Sequence, residues 1–323
     1  MNRRLLKIML GSLMAMVLCF NVEAQQVSGS FTDWEDCLPN GKNVVGEQPV
    51  GWNASNVYQF GFMRKLVFKD EDRAGVVSTS FSAKLTNDFV GLGKLGANVP
   101  GFISLGKMWV YASLTDIAGG DGGVLGGMDF TSRPDSVVVY IKRQLGTENP
   151  NEAAKVITYL WKGEFKSKIK TGKGETADAI DRDKYILGME EPLEGSTGVL
   201  IAKSEYAIEG TFDNWTRLSI PIEYLTNDTP EKMNIIISTG NYWVREDIGK
   251  GNTLWVDDLE LIYNPTNQNI VIDNNNVKVY SEDGRLYVSG NNNNEPIEVY
   301  NLQGVLLSKS YQEEIVVENL SRQ

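Results

Sequence analysis

Two adjacent aspartates, Asp257 and Asp258, interrupt the run Leu254-Trp255-Val256-Asp257-Asp258-Leu259-Glu260-Leu261. Before the pair the aliphatic residues fall on even positions, and after it on odd ones. A one-residue phase slip of this kind marks a β-bulge. A bulge frees backbone carbonyls beside carboxylates, and hard cations such as calcium take those oxygens. Asp33 and Glu35, with Asp36 beside them, complete a candidate structural calcium site if the first and last strands are neighbours. The competing reading is a surface turn with solvated acids, and no cofactor is required by the chain as a whole.

Aromatic side chains form the second set. In Lys107–Ser113, Trp109 and Tyr111 share a face opposite Met108 and Val110. In Trp215–Ile220, Leu218 and Ile220 point one way, while Trp215, Arg217 and Ser219 point the other. Tyr242-Trp243 lies in a loop between Gly240 and Gly251 that also carries Arg245 and Glu246. A ring stacks on the apolar C–H face of a sugar while neighbouring polar groups meet its hydroxyls. Candidate ligand contacts are therefore Trp215, Trp243, Tyr242, Trp109, Arg133, Arg217 and Arg245. The competing reading, for any one ring, is core packing.

Histidine is absent from all 323 residues. That excludes Ser-His-Asp and Cys-His catalysis, histidine zinc sites and the usual proton shuttle near neutral pH. Chemistry would have to use carboxylates, Tyr, Lys, Arg, or a metal held by oxygens. Ile117–Gly127 is rich in glycine, but no Gly-Lys-Ser/Thr follows, so it reads as a mobile connection rather than a phosphate loop.

The elements that must position these residues are strands. Alternating β-branched and aromatic runs occur at Val76–Leu85, Met108–Leu114, Ser136–Lys142, Lys155–Trp161, Trp215–Ile222, Met233–Ser238 and Thr253–Tyr263. Their spacing predicts an all-β fold: an antiparallel β-sandwich, specifically a jelly roll.

Arg3, Arg4 and Lys7 precede the apolar stretch Ile8–Phe20, and Val22-Glu23-Ala24 follows with small residues where signal peptidase reads them. Residues 1–24 thus read as a secretory leader, with Gln25 the mature start. The apolar stretch is shorter than the roughly 20 residues a spanning helix needs, and Leu18 before Cys19 disfavours lipidation. Removing the leader's three basic residues and one acid leaves 28 basic against 41 acidic residues, a balance of −13. No nucleic acid or anionic membrane is expected to bind such a chain. Only Cys37 remains after cleavage, which excludes an internal disulfide.

Residues 25–264 form the main domain on this reading, and 265–276 a polar, Asn-rich linker. Residues 277–323 form a small β module of four short strands, Val277–Tyr280, Arg285–Ser289, Ile297–Tyr300 and Val305–Ser308, which lacks a closing strand.

Several segments together resemble the family named putative carbohydrate metabolism domain (PCMD), found in exported proteins of Bacteroides-type bacteria. They are Val50–Asn56, Ser80–Leu85, Met128–Ser136 with its Phe-Thr-x-Arg-Pro turn, Tyr159–Lys162, Trp215–Tyr224, Ile235–Thr239 and Thr253–Tyr263. The resemblance spans roughly residues 30–264. It implies a jelly roll similar to carbohydrate-binding modules, and a link to carbohydrate without an established reaction. In similar modules an aspartate of the closing strand holds structural calcium, which fits Asp257. The tail, through Ile297–Gly304, resembles the C-terminal sorting domains of type IX secretion.

These observations lead to an exported, non-catalytic protein whose partner is a polysaccharide or oligosaccharide, at the cell surface or beyond it. The alternatives are a glycan-degrading hydrolase or lyase without histidine, and a structural or adhesive surface protein.

Overall fold

The computed structural model describes residues 25–76, 81–92, 95–113 and 119–263, and the backbone of five short strands between 278 and 316. The expected leader and linker lie outside the described residues.

Eight strands form the framework: β1 (Ser82–Thr86), β2 (Phe102–Ser104), β3 (Ser136–Gln144), β4 (Ala154–Lys162), β5 (Val199–Ile208), β6 (Phe212–Pro221), β7 (Lys232–Ser238) and β8 (Thr253–Ile262). One sheet runs β6-β3-β8-β1 and the other β5-β4-β7-β2, all neighbours antiparallel. First pairs with last throughout: β1 with β8, β2 with β7, β3 with β6, and β4 with β5. This nesting is the jelly roll that the strand spacing predicts. Short strands extend the edges, Val67–Asp70 beside β1 and Asn53–Ala54 beside β2.

Alternation decides which side chains meet between the sheets. Val137, Val139 and Ile141 of β3 face inward, as do Val156 and Leu160 of β4, Ile235 and Ile237 of β7, and Leu254 and Val256 of β8. The phase slip in β8 is a bulge. Val138 pairs with Glu260 but Tyr140 with Asp257, and Asp258 sits at φ +44°. The slip returns Leu259 and Leu261 to the core.

The β5-β4-β7-β2 sheet is buried on its outer face too. Ile157, Tyr159 and Trp161 of β4 and Ile236 of β7 join Val124, Phe165, Tyr185 and Ile186 in a second core. Of the expected strand Val76–Leu85, Ser82–Leu85 is strand and Val76 is exposed, while residues 77–80 lie outside the described residues. Part of the Gly-rich stretch is ordered: Asp121–Leu125 pairs with Lys107–Tyr111 as a hairpin, not as a loose connection.

In the C-terminal segment Lys278–Glu282, Arg285–Ser289 and Glu314–Val316 form one antiparallel sheet, and Ile297–Tyr300 pairs with Leu306–Ser310. No helix among the described residues is long and apolar enough to cross a membrane.

Candidate binding cleft

Two connections cross the outer face of the β5-β4-β7-β2 sheet. The link from β2 to β3 carries the hairpin Lys107–Tyr111/Asp121–Leu125. The link from β4 to β5 carries a hairpin of Lys166–Gly172 with Glu175–Ile180, then the single-turn helix α1 (Asp183–Ile186). Apolar residues from both links close over Tyr159 and Trp161, which is what holds the hairpins in place.

Three consecutive charged residues, Asp181, Arg182 and Asp183, are buried beneath them. Both carboxylates and the two terminal guanidinium nitrogens are hydrogen-bonded, as burial requires, while Arg182 Nε has no hydrogen-bond partner among the described residues. Asp181 accepts the Phe165 N–H at 2.8 Å and the Lys232 ammonium at 2.6 Å. Arg182 donates to both carboxylate oxygens of Asp121, at 3.0 and 3.1 Å, and to the Lys168 carbonyl at 3.0 Å. Its guanidinium also lies 4.9 Å from the centre of the Trp109 ring. Asp183 Oδ2 accepts the Val124 N–H at 3.0 Å and the Tyr242 hydroxyl at 2.5 Å. A Cβ at Gly123 would stand 2.9 Å from that oxygen, so only glycine admits the approach.

Burial pushes the Asp183 carboxyl above the usual aspartate range, and the Tyr242 hydrogen bond opposes it. Burial, then the charge of Asp183, holds the Tyr159 and Tyr242 hydroxyls well above the ordinary tyrosine value. Tyr159 accepts from Asn234 at 2.7 Å, and Asn234 accepts from Ser104 at 2.9 Å. This chain of polar groups sits under the hairpins and props them from below.

Above it opens a cleft of about 610 Å³, lined by Gln59, Phe60, Trp109, Tyr111, Ser113, Lys170 and Thr171 among others. Trp109 and Tyr111 come from one hairpin strand, on the shared face that the alternation predicts. Lys170, from the facing strand, donates to the Gly119 carbonyl at 2.8 Å and ties the two hairpins together. Phe60 belongs to a third element. It and Gly61 make the two-residue turn between Val57–Gln59 and Phe62–Arg64, at φ +51° and +81°. Asparagine or glycine suits that first turn position; a phenylalanine there is strained, and the residue is 52% exposed.

Of the aromatic and arginine candidates, the cleft takes Trp109. Tyr242 is spent on Asp183, and Trp243 Nε1 donates to Glu205 at 3.1 Å, with Tyr242 edge-on to its ring. Arg245 opens the short 3-10 turn Arg245–Asp247 and lies near Glu246. Arg133 clamps the 224–228 segment, donating to the Thr226 and Asp228 carbonyls and stacking 4.0 Å from the centre of the Tyr224 ring. Trp215 and Arg217 lie on the outer face of the other sheet, where Trp215 donates to Asp72 at 3.0 Å. The candidates thus occupy separate places rather than one face. Phe60 and Lys170 escape a reading by strand period, because one sits in a turn and the other in a run of lysines.

The acids divide similarly. Asp257 accepts the Ala74 N–H at 2.8 Å, and Asp258 that of Val76 at 3.1 Å. Glu35 accepts from Gln48 at 3.0 Å, in a strand, Trp34–Asp36, that pairs with Glu47–Pro49. Asp33 precedes that strand, its carbonyl accepting the Val50 N–H at 2.9 Å. The chain that does run beside β8 is Gln26–Gly29, through Leu261 and Leu259. Among the described residues no three Asp, Glu or Cys side chains group closely enough to hold one ion.

No family model matches the chain, and no curated protein matches it. Among solved structures, a putative glycoside hydrolase from Bacteroides thetaiotaomicron is similar over 75% of this chain and 72% of its own, at 14% identity and a TM-score of 0.45. A second, from Bacteroides vulgatus, is similar over 61% of this chain and 77% of its own, at 16% identity and a TM-score of 0.39. Likenesses of this degree are too loose to transfer a site or a reaction.

Proposed function

We propose that the protein binds a glycan chain in the cleft between Phe60, Trp109 and Tyr111, without transforming it. The observation that carries this is Phe60. An exposed ring in a left-handed turn position costs roughly 1–2 kcal/mol of backbone strain. Strain kept at a ligand-facing position is a common mark of function. Trp109 supports the reading, because Arg182 fixes its ring from behind and leaves it rigid. Hydroxyls, an amide and an amine from Thr171, Ser113, Gln59 and Lys170 accompany the rings, the mixture that sugars need.

Phe60→Asn and Trp109→Ala test the proposal by calorimetry against a panel of plant and host polysaccharides. Each substitution removes the apolar area a ring would bury against a sugar, so each variant should bind several-fold more weakly. Phe60→Asn should meanwhile unfold at higher temperature, because asparagine tolerates the turn. Absence of binding across the panel, or full affinity in Trp109→Ala, would sink the reading. Release of reducing ends from a bound polysaccharide would replace it with a hydrolase or lyase.

A further inference from the structure

We propose that Gln25 is a modification site: once it is the first residue, its α-amine closes on its own side-chain amide to form pyroglutamate, inside a cradle made by Thr131 and Ser132. The Gln25 amide oxygen accepts the Thr131 N–H at 2.6 Å, the Ser132 N–H at 3.2 Å and the Thr131 hydroxyl at 3.3 Å. The backbone nitrogen of Gln25 lies 3.4 Å from Ser132 Oγ. The α-nitrogen and the side-chain amide oxygen of Gln25 therefore both contact Ser132.

The cradle is rigid on each side. Phe130 is fully buried before it, and Arg133 after it clamps the carbonyls of Thr226 and Asp228. Tyr224 ties the following Pro134 carbonyl at 2.9 Å. Gln25 itself is pinned through its carbonyl by the Tyr263 hydroxyl at 2.5 Å. Gln26 then pairs with Leu261 in both directions, at 2.8 and 2.9 Å. The Phe-Thr-x-Arg-Pro turn, which the glycan cleft leaves without a role, acquires one here.

The chemistry balances without an added reagent. The α-nitrogen adds to the amide carbon, and negative charge gathers on the amide oxygen that two N–H groups already face. Donors placed where charge develops lower such a barrier. The bond from carbon to the amide nitrogen then breaks. Ammonia leaves with the proton that the α-amine gives up, and the lactam oxygen keeps its two donors.

The test uses the chain from Gln25 to Gln323, released by a site-specific protease that leaves Gln25 unmodified at the terminus. Loss of one ammonia is followed by intact mass in the folded protein, in the same chain unfolded in urea, and in a peptide of residues 25–30. The folded protein should close about tenfold faster than either control. Thr131→Pro removes two donors, the backbone N–H and the hydroxyl, and should bring the rate toward that of the peptide. Ser132→Ala keeps the backbone and the fold, and should give a smaller loss. Equal or slower closure in the folded protein overturns the proposal, as does an unaltered rate in both variants. A secreted form whose first residue is other than Gln25 overturns it as well.

Discussion

The two sheets of the sandwich share an inner core but treat their outer faces in opposite ways. Outside β5-β4-β7-β2 the sheet offers Ile157, Tyr159, Trp161 and Ile236, and two long connections fold over them. Outside β6-β3-β8-β1 it offers Lys84, Lys142, Trp255 and Asp257. There Trp255 lies between the two ammonium groups, 4.9 and 5.4 Å from its ring centre, and donates to Asp70 at 3.2 Å. Lys142 meets Asp72 at 2.6 Å, and the N–H groups of Ala74 and Val76 cap the bulge aspartates. Apolar cover binds whole hairpins and so creates a cleft with fixed walls. The charged ladder needs only the segment after Asp70, and its ion pairs gain little in contact with water.

The contrast breaks most visibly at Trp161. Trp161→Ala empties a fully buried site in the second core, and should cost ~3–5 kcal/mol in urea unfolding. A loss below about 1 kcal/mol would mean that the hairpins are not held by this cover.

Asp257 gives the next effect. Burial, only partly offset by the Ala74 N–H, raises its carboxyl from 3.8 to about 6. The folded state then holds this proton more tightly than the unfolded chain does. Stability from this group is present below pH ~4, and declines as pH rises from ~4 to ~6. Asp257→Asn should flatten that decline, read from thermal melts across that range. If calcium occupies the bulge instead, added calcium raises the parent's melting temperature at pH 7 and the asparagine variant loses that response.

Lys142→Met should matter least. It removes one half-exposed ion pair and one ammonium contact with the Trp255 ring, each worth ~0–1 kcal/mol, so chemical denaturation should show only a small loss. A loss like that of Trp161→Ala would erase the distinction between the two faces.

The sandwich was legible because its strands alternate. Val137, Val139 and Ile141 show period two without help, and the slip at Asp257-Asp258 announces its bulge. β5 was not legible: Lys203 and Glu205 on one face and Tyr206 on the other are all exposed, and an irregularity opposite Leu160 and Trp161 puts Ile201 and Ile208 out of phase. β2 is three residues long and too short to show a period. At the site, Trp109 was legible as an aromatic on a strand, with Tyr111 on its face. Its setting was not. Asp181, Arg182 and Asp183 carry no pattern that sets them apart in the sequence, and only the fold brings Asp121, Lys232 and Tyr242 to them. Phe60 gave no periodic signal, since what distinguishes it is a backbone angle.

The double burial of β4 bears on how such a protein can diverge. Deleting either crossing hairpin would leave Tyr159 and Trp161 facing water, so the length of these connections is held by the need to stay folded. Change in what the cleft accepts is thereby channelled into substitutions at Phe60, Tyr111 and Ser113, whose side chains line the opening, while Lys170 also ties the two hairpins together.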